Sequence, residues 1–515
     1  MLNIRNLTIT LLAIALGACA SLPDDLRQVP SEAWPDPYAT TLGKYFNDVA
    51  PAGDGLSGLS PLPQPRRAFI LRYALAIHAE HTLDMQYYLW KSDTAGELLL
   101  HQALAAADRG VQVRLLIDDI YHYGRDGIYA TVDLHPNVQV RVFNPIPNRG
   151  LGRNLGYVAD KSALNHRMHN KIFLVDNAAA IMGGRNIGDD YFGVDPNLNF
   201  HDLDVLAVGP AAQEAGSAFD LYWNSRYAVP IEALYDEADM PANALPDLRA
   251  RLETALGGYL DELPYEVPFE GDELYAELEK LADTLTWAPA RVVVDPLSKF
   301  DGSGESALAD LVFGMSHQAD EEVVAQTAYL IPSDEGIEMV RSMTDRGVRV
   351  RLMTNSMQSN NHLSVHAFYM KHRKALIEAG ADLYELRADN ELLEFYKQRE
   401  SRVAESHAGL HTKSFVVDGE TSVIGSYNMD PRSRVWNSEI ALVIDSKPFA
   451  KEVLESMNVA FEPGNAYHLT LDDGEVTWSI DTPDGVQTWD KDPGTTAWQR
   501  FLTRIMGWIP IENEL

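Results

Sequence analysis

The sequence predicts an α/β protein of two related lobes with one site between them. Three observations carry this. The chain has 515 residues, too many for one ordinary domain. Helix-like and strand-like stretches alternate, which argues for a sheet flanked by helices in each half. One order of elements also occurs twice.

In the first copy, residues 66–81 (RRAFILRYALAIHAEH) read as a helix and 82–90 (TLDMQYYLW) as a strand. A helix over 96–110 (GELLLHQALAAADRG) then leads into the strand 111–119 (VQVRLLIDD). The second copy repeats this with helix-like 305–320, the strand 322–332, the helix 335–347 and the strand 348–356. Both second helices end in Asp-Arg-Gly, and Gly110 and Gly347 suit a left-handed C-terminal cap. The period is far too long for a solenoid, so the pattern is a domain duplication. We expect a first lobe over 66–255 and a second over 256–515, ending in an amphipathic tail.

The first residues form a separate unit. Arg5 precedes a short apolar run, Leu7 to Ala18, too short to span a bilayer but suited to a signal-peptide core. The run ends in Leu16-Gly17-Ala18-Cys19, which resembles a bacterial lipobox, and Cys19 is the only cysteine. That resemblance implies cleavage after residue 18, acylation of Cys19 and a periplasm-facing lipoprotein. Ala20 after the cysteine favours the outer over the inner membrane. Residues 19–65, rich in Pro, Asp and Gly, read as an irregular tether. With one cysteine, no disulfide within the chain can form.

The formal net charge is −33, which argues against a nucleic-acid partner, since such binding draws on Lys and Arg. The remaining acidity reads as surface solubility.

The chemistry sits in one repeated pattern. His169, Lys171 and Asp176 recur as His411, Lys413 and Asp418, each with the same offset (411 − 169 = 242). On a strand, His and Lys two apart share a face, while the Asp seven from the His falls on the other and suits bracing the strand end. If the halves face each other, two His and two Lys meet. One imidazole attacks phosphorus, the other protonates the leaving alcohol, and the ammonium groups hold the phosphoryl oxygens. The paired lysines repel cations, so no metal is expected. Gly183-Gly184-Arg185-Asn186 and Gly425-Ser426-Tyr427-Asn428 follow the two motifs. Their small residues suit close approach of a phosphate, and Asn186 and Asn428 suit donation to it. Carboxylates of Asp202-Leu203-Asp204 (Asp204 in particular) and of Glu439 suit fixing the histidine tautomers.

At these residues the chain resembles the phospholipase D superfamily, whose signature is a pair of such motifs, and the resemblance implies that His169, Lys171, Asp176, His411, Lys413 and Asp418 form the catalytic set. Longer stretches (LNHRMHNKIFLVDN, GGRNIGDDYFG, HDLDVLAVGP, IGSYNMDPRSRVWNSEIALVI) resemble its bacterial cardiolipin synthase C-like branch. The resemblance implies two α/β/α sandwich lobes related by a pseudo-two-fold, no cofactor, and a covalent phosphohistidine. It implies transfer of a phosphatidyl group to phosphatidylglycerol from a second phospholipid such as phosphatidylethanolamine. By that analogy His169 is the nucleophile and His411 the acid and then base, although the near-symmetry leaves the opposite assignment open. Hydrolysis to phosphatidic acid is the alternative. A secreted nuclease and an idle lipid-binding lipoprotein are the remaining rivals.

Other residues have bland readings. His78 and His81 lack a third ligand and read as surface or capping groups, and His166 reads as structural. His122 and Asn355, in matching loops after strands, are equally suited to pocket lining and to loop structure. The segment Trp498–Trp508 reads as a terminal helix docked on its lobe, with a membrane-interface helix as the rival.

Overall fold

The structure, a computed structural model, describes residues 28–51, 55–122, 124–150, 164–267, 271–390, 392 and 406–514. Cys19 and the signal-like run lie outside them.

Two sheets form the molecule. In the first, Val138–Phe143, Gln112–Asp118 and Thr82–Tyr87 run parallel, followed by antiparallel Ile172–Val175, Ala179–Gly183, Asp204–Val208 and Ser57–Leu62. The second repeats the same seven positions. Asp382–Leu386, Arg349–Asn355 and Glu322–Thr327 run parallel, followed by antiparallel Lys413–Val417, Thr421–Gly425, Ile440–Asp445 and Ala290–Val294. The duplication read from sequence is thus a duplication of strand order. A three-stranded antiparallel extension, Ala466–Asp472, Glu475–Thr482 and Gly485–Trp489, belongs to the second sheet alone.

The helices between parallel strands start and stop on local signals. Asp93 caps Thr94–Asp108 by accepting from the Gly96 N–H, and Ser333 caps Asp334–Asp345 by accepting from the Gly336 N–H. Both end where Gly110 (φ +99°) and Gly347 (φ +90°) take the left-handed conformation.

Alternation along each strand sorts the core. Phe173 and Val175 face the helices on the outside of the first lobe, whereas Ile172 and Leu174 face inward. Phe415 and Val417 face the outer helices of the second lobe, whereas Val416 faces inward. The inward faces share one apolar core with the helices Pro210–Trp223 and Lys447–Phe461, so the lobes are joined by a dry interface.

The lobe boundaries differ from those expected. Residues 28–65 are not an irregular tether. Helix Thr41–Val49 buries Leu42 and Phe46, and Ser57–Leu62 is an internal strand of the first sheet. Nor does the first lobe end at 255. Helices Ala244–Glu262 and Gly271–Ala282 add Leu252, Leu278 and Leu281 to its outer core, and Thr286–Ala288 pairs with Ser57–Leu59. The chain crosses between sheets at Pro289. The acidic composition of this stretch hid its apolar faces. No helix among the described residues is long and apolar enough to cross a membrane.

Candidate active site

Two short parallel ladders join the lobes and build the site. Arg167–Met168 pairs with Asn437–Ser438, and Leu198–His201 pairs with His407–Leu410. The residues that follow each ladder face one another. Beyond Met168 and Ser438 come His169 and Glu439, and the His169 Nδ1–H donates to Glu439 Oε2 at 2.8 Å. Beyond His201 and Leu410 come Asp202 and His411, and the His411 Nδ1–H donates to Asp202 Oδ2 at 2.7 Å. Each histidine is therefore held by a carboxylate of the other lobe. A carboxylate accepts, which places the proton on Nδ1 and leaves Nε2 free to act.

His169 and His411 both line one cleft of about 450 Å³. Lys171 and Lys413 lie buried with them. Each donates to the backbone carbonyl of the histidine in its own motif, Lys171 Nζ to His169 O at 2.5 Å and Lys413 Nζ to His411 O. Burial and both lysines hold His169 well below its ordinary value, so it is neutral at pH 7. The same causes lower His411 to about 3, with Asp202 working against them. Burial also lowers the lysines, Lys413 to about 8, because Asp202 and Glu439 offset the burial only in part. Both lysines are thus held below their ordinary value beside two neutral histidines. An arriving phosphodiester anion supplies the missing countercharge.

Aromatic rings fix the imidazoles from the side. Tyr88 meets His169 edge-on at 4.8 Å, and Tyr191 and Phe200 flank His411 at 5.1 and 5.0 Å. Arg432 lines the cleft, adds positive potential at His169, and is held by Asn165 and the Glu514 carbonyl. Tyr88 and Arg432 carry no repeat signal, so the sequence did not single them out.

Asn186 and Asn428 line the cleft, as residues suited to meeting phosphate must. Asn186 already donates to the Tyr191 hydroxyl and accepts from the Leu89 N–H, so it also positions Tyr191 beside His411. Asp176 and Asp418 are not in the cleft. Asp176 (φ +53°) accepts from the N–H groups of Glu80, His81 and Thr82, and Asp418 (φ +52°) accepts from those of Asp320, Glu321 and Glu322. Each turns the chain after its motif strand and ties the neighbouring strand's entry. They are bracing groups, and the catalytic assignment given to them with the rest of the motif does not fit their place.

Asp204 needs a similar correction. It is fully buried and pairs with Arg72 at 2.8 Å and Arg185 at 3.3 Å, rather than with either histidine. The brace is Asp202. Strand register explains this: Gly183 pairs with Asp204 and Gly425 with Ala441, so Asp202 and Glu439 are the equivalent positions, each two residues earlier. Aligning DLDVLAV with EIALVI would have revealed it, because only the first carboxylate recurs. Glycines after both motifs also serve close packing against these strands rather than a phosphate. A Cβ at Gly184 would stand 2.1 Å from Asp202 Oδ1, and one at Gly425 2.1 Å from the Ile440 carbonyl.

The remaining candidates are structural. His122 is buried between the Trp90 N–H and the Asp118 carbonyl, and Asn355 bonds both backbone groups of Leu410, steadying the strand before His411. His166 contacts Trp436, and His81 stacks on Trp34 at 3.8 Å.

The comparisons agree with this geometry. The family described as "Cardiolipin synthase, PLD-like domain" matches residues 74–223 and 315–460, one match per lobe. Cardiolipin synthase C of Escherichia coli K12 is 37% identical over 463 residues, covering 89% of this chain and 96% of that protein. An uncharacterized protein of Helicobacter pylori 26695 is 30% identical over 502 residues, covering 93% and 94%. Among solved structures, phosphatidylserine synthase of Haemophilus influenzae Rd KW20 has the same fold, with a TM-score of 0.56 at 12% identity, covering 92% of this chain and all of that one. With both motif histidines in one cleft and a family match in each lobe, the chain belongs to the phospholipase D superfamily of phosphodiesterases and phosphatidyltransferases.

Proposed function

We propose that this enzyme is a cardiolipin synthase-like phosphatidyltransferase working through a phosphohistidine. The observation that carries the reading is the pair of oppositely braced histidines lining one cleft, each with the buried lysine of its own motif bonded to its carbonyl. The 37% identity to cardiolipin synthase C supports the choice of substrate.

Nε2 of His169 attacks the phosphorus of a donor phospholipid. Binding of the anionic phosphodiester favours uptake of a solvent proton on Nε2 of His411, whose Nδ1–H stays on Asp202. The bond from phosphorus to the head-group oxygen breaks, and the His411 imidazolium gives that oxygen its Nε2 proton. Lys171 and Lys413 hold the non-bridging oxygens as negative charge builds. The released alcohol leaves the cleft. A hydroxyl of phosphatidylglycerol then enters, His411 takes its proton, and its oxygen displaces His169 to give cardiolipin. Water in place of that hydroxyl would give phosphatidic acid.

Vesicles of phosphatidylethanolamine and phosphatidylglycerol, alone and mixed, test this when the products are read by mass spectrometry. His169→Ala and His411→Ala serve as controls. Cardiolipin that requires both histidines supports the reading. Phosphatidic acid alone makes the enzyme a hydrolase. The absence of any lipid product rejects phospholipid substrates.

We also propose, from the lipobox-like Leu16-Gly17-Ala18-Cys19 and the Ala20 after it, that the chain is a periplasm-facing lipoprotein of the bacterial envelope anchored through Cys19, on the outer rather than the inner membrane. Palmitate labelling of the chain and of Cys19→Ala in cells checks the anchor, and label that survives the substitution rejects it.

A further inference from the structure

We propose that the C-terminal helix Ala497–Met506 and the turn after it form a membrane-docking face that sets the cleft mouth against a lipid surface. The proposal rests on the reading of the substrate as a phospholipid.

The helix is held on one side only. Thr503 is fully buried against Met357, Met506 joins the apolar core of the second lobe, and Gly507 lies against the Ala367 carbonyl of helix Leu363–Glu378. The opposite side carries Trp498, Phe501, Leu502 and Ile505, spaced to share one helix face, with Trp508 and Ile509 following. Trp498 is 64% exposed and Trp508 82%. Single exposed apolar residues are ordinary, but a contiguous set with tryptophan at both ends is the composition of an interfacial helix.

Three observations favour lipid over a protein partner. The segment leads straight to the site: Glu514 lines the catalytic cleft, and Arg432, in that cleft, holds the Glu514 carbonyl. The rim carries further exposed apolar groups, since Tyr121 lines the cleft and exposed Leu363 adjoins His362 and Ser364, which also line it. Glu512 borders a second, mainly apolar cavity of about 350 Å³, walled by Phe313, Leu330, Ile331, Met339 and Val340. Asp430 lines both cavities, so the apolar chamber adjoins the cleft that holds His169, His411 and Arg432. That juxtaposition matches a substrate with an anionic head and an apolar tail. A second copy is disfavoured as the occupant, because two chains of net charge −33 repel. The same charge means that attraction to the bilayer comes from apolar insertion.

The test uses the full chain carrying Cys19→Ser in every arm, so that no anchor supplies binding. The variant is Trp498→Ser/Phe501→Ser/Trp508→Ser, confined to exposed positions. Both proteins are sedimented with phosphatidylethanolamine/phosphatidylglycerol vesicles at low and high salt. Turnover is measured on the same vesicles and on detergent-mixed micelles. The variant should bind vesicles at least tenfold more weakly (a change of about 1.4 kcal/mol or more), and the parent's binding should survive high salt. Vesicle turnover should fall by a similar factor while micelle turnover stays. Equal binding by both proteins, equal losses on micelles and vesicles, or a parent that self-associates through this face without binding vesicles would each overturn the proposal. If the parent binds vesicles through this face but turns over no lipid, the substrate reading has failed and the docking face stands.

Discussion

The two halves of the site differ where a two-fold copy would have them alike. His411 faces Asp202, and Gly184 leaves room for that carboxylate to come close. Burial pushes the Asp202 carboxyl up, but His411, Lys413 and Arg185 hold it well below the usual range, so it is ionised. His169 faces Glu439, and at the position equivalent to Gly184 stands Ser426. The Ser426 hydroxyl donates to the same Glu439 oxygen that accepts from His169. Burial pushes the Glu439 carboxyl up, with Lys171 offsetting it only in part. One imidazole thus leans on a full negative charge, and the other on a carboxylate shared with Ser426 and pushed toward its protonated form. The difference teaches how a duplicated fold separates two roles. The histidine beside the stronger anion takes up a proton more readily, and the other stays neutral. This favours His411 as acid and base and His169 as nucleophile.

The largest expected effect breaks the comparison outright. His169→Ala should abolish turnover and leave no covalent phosphoenzyme. His411→Ala should slow turnover by about 10²–10⁴-fold yet still label His169 from a donor with a good leaving group. Mass spectrometry of the alkali-quenched enzyme reads the labelled peptide. Label on residue 411 in the His169→Ala protein would reverse the roles.

Next come the braces. Asp202→Asn keeps the shape but removes the charge, and should lower kcat by about 10²–10⁴-fold, in the range of general acid–base catalysis. Glu439→Gln should cost less, about ten- to a hundredfold, the scale seen when a group that orients a functional histidine is removed. Steady-state kinetics at one pH, with thermal unfolding as a check on folding, would rank the two. Equal losses would mean that the asymmetry has no part in the chemistry.

This asymmetry shows how far the sequence could be read. The duplication, the helix ends at Gly110 and Gly347, and the meeting of His169 and His411 in one cleft followed from period, cap chemistry and spacing. Those are local signals. The exchange of carboxylates between lobes was out of reach, because it depends on the two parallel ladders that join segments hundreds of residues apart. Choosing Asp204 over Asp202 failed for a related reason. Asp204 neutralises the buried Arg72 and Arg185, and a carboxylate that serves the core looks like one that serves the site until register is known. The lobe boundary failed because an acidic, turn-rich stretch conceals strands and helices that depend on tertiary burial.

The lysines sharpen the comparison through pH. Burial lowers Lys413 to about 8, so its charge is present below that pH and lost above it. kcat/KM should therefore fall on the alkaline side with a midpoint near 8. Lys413→Met should be slow throughout and lack this limb. A flat profile to pH 10 in the parent would show that bound phosphate, rather than the resting cleft, sets the lysine's charge.

The smallest effect on chemistry belongs to the motif aspartates, and here the two lobes differ again. Asp176 is fully buried and ties three backbone N–H groups, whereas Asp418 makes the same bonds at a half-exposed turn. A buried donor left without its acceptor costs about 1–3 kcal/mol, and water can replace the lost partner only at the exposed site. Asp176→Ala should therefore lower the denaturation midpoint clearly more than Asp418→Ala. The His169 and His411 carbonyls, which anchor the lysines, lie at the other end of each strand, so kcat per folded molecule should stay within a few-fold in both variants. Chemical denaturation and active-site titration separate the two readouts. A large loss of kcat in fully folded Asp176→Ala would return that carboxylate to the chemistry and show that the strand transmits its position to His169.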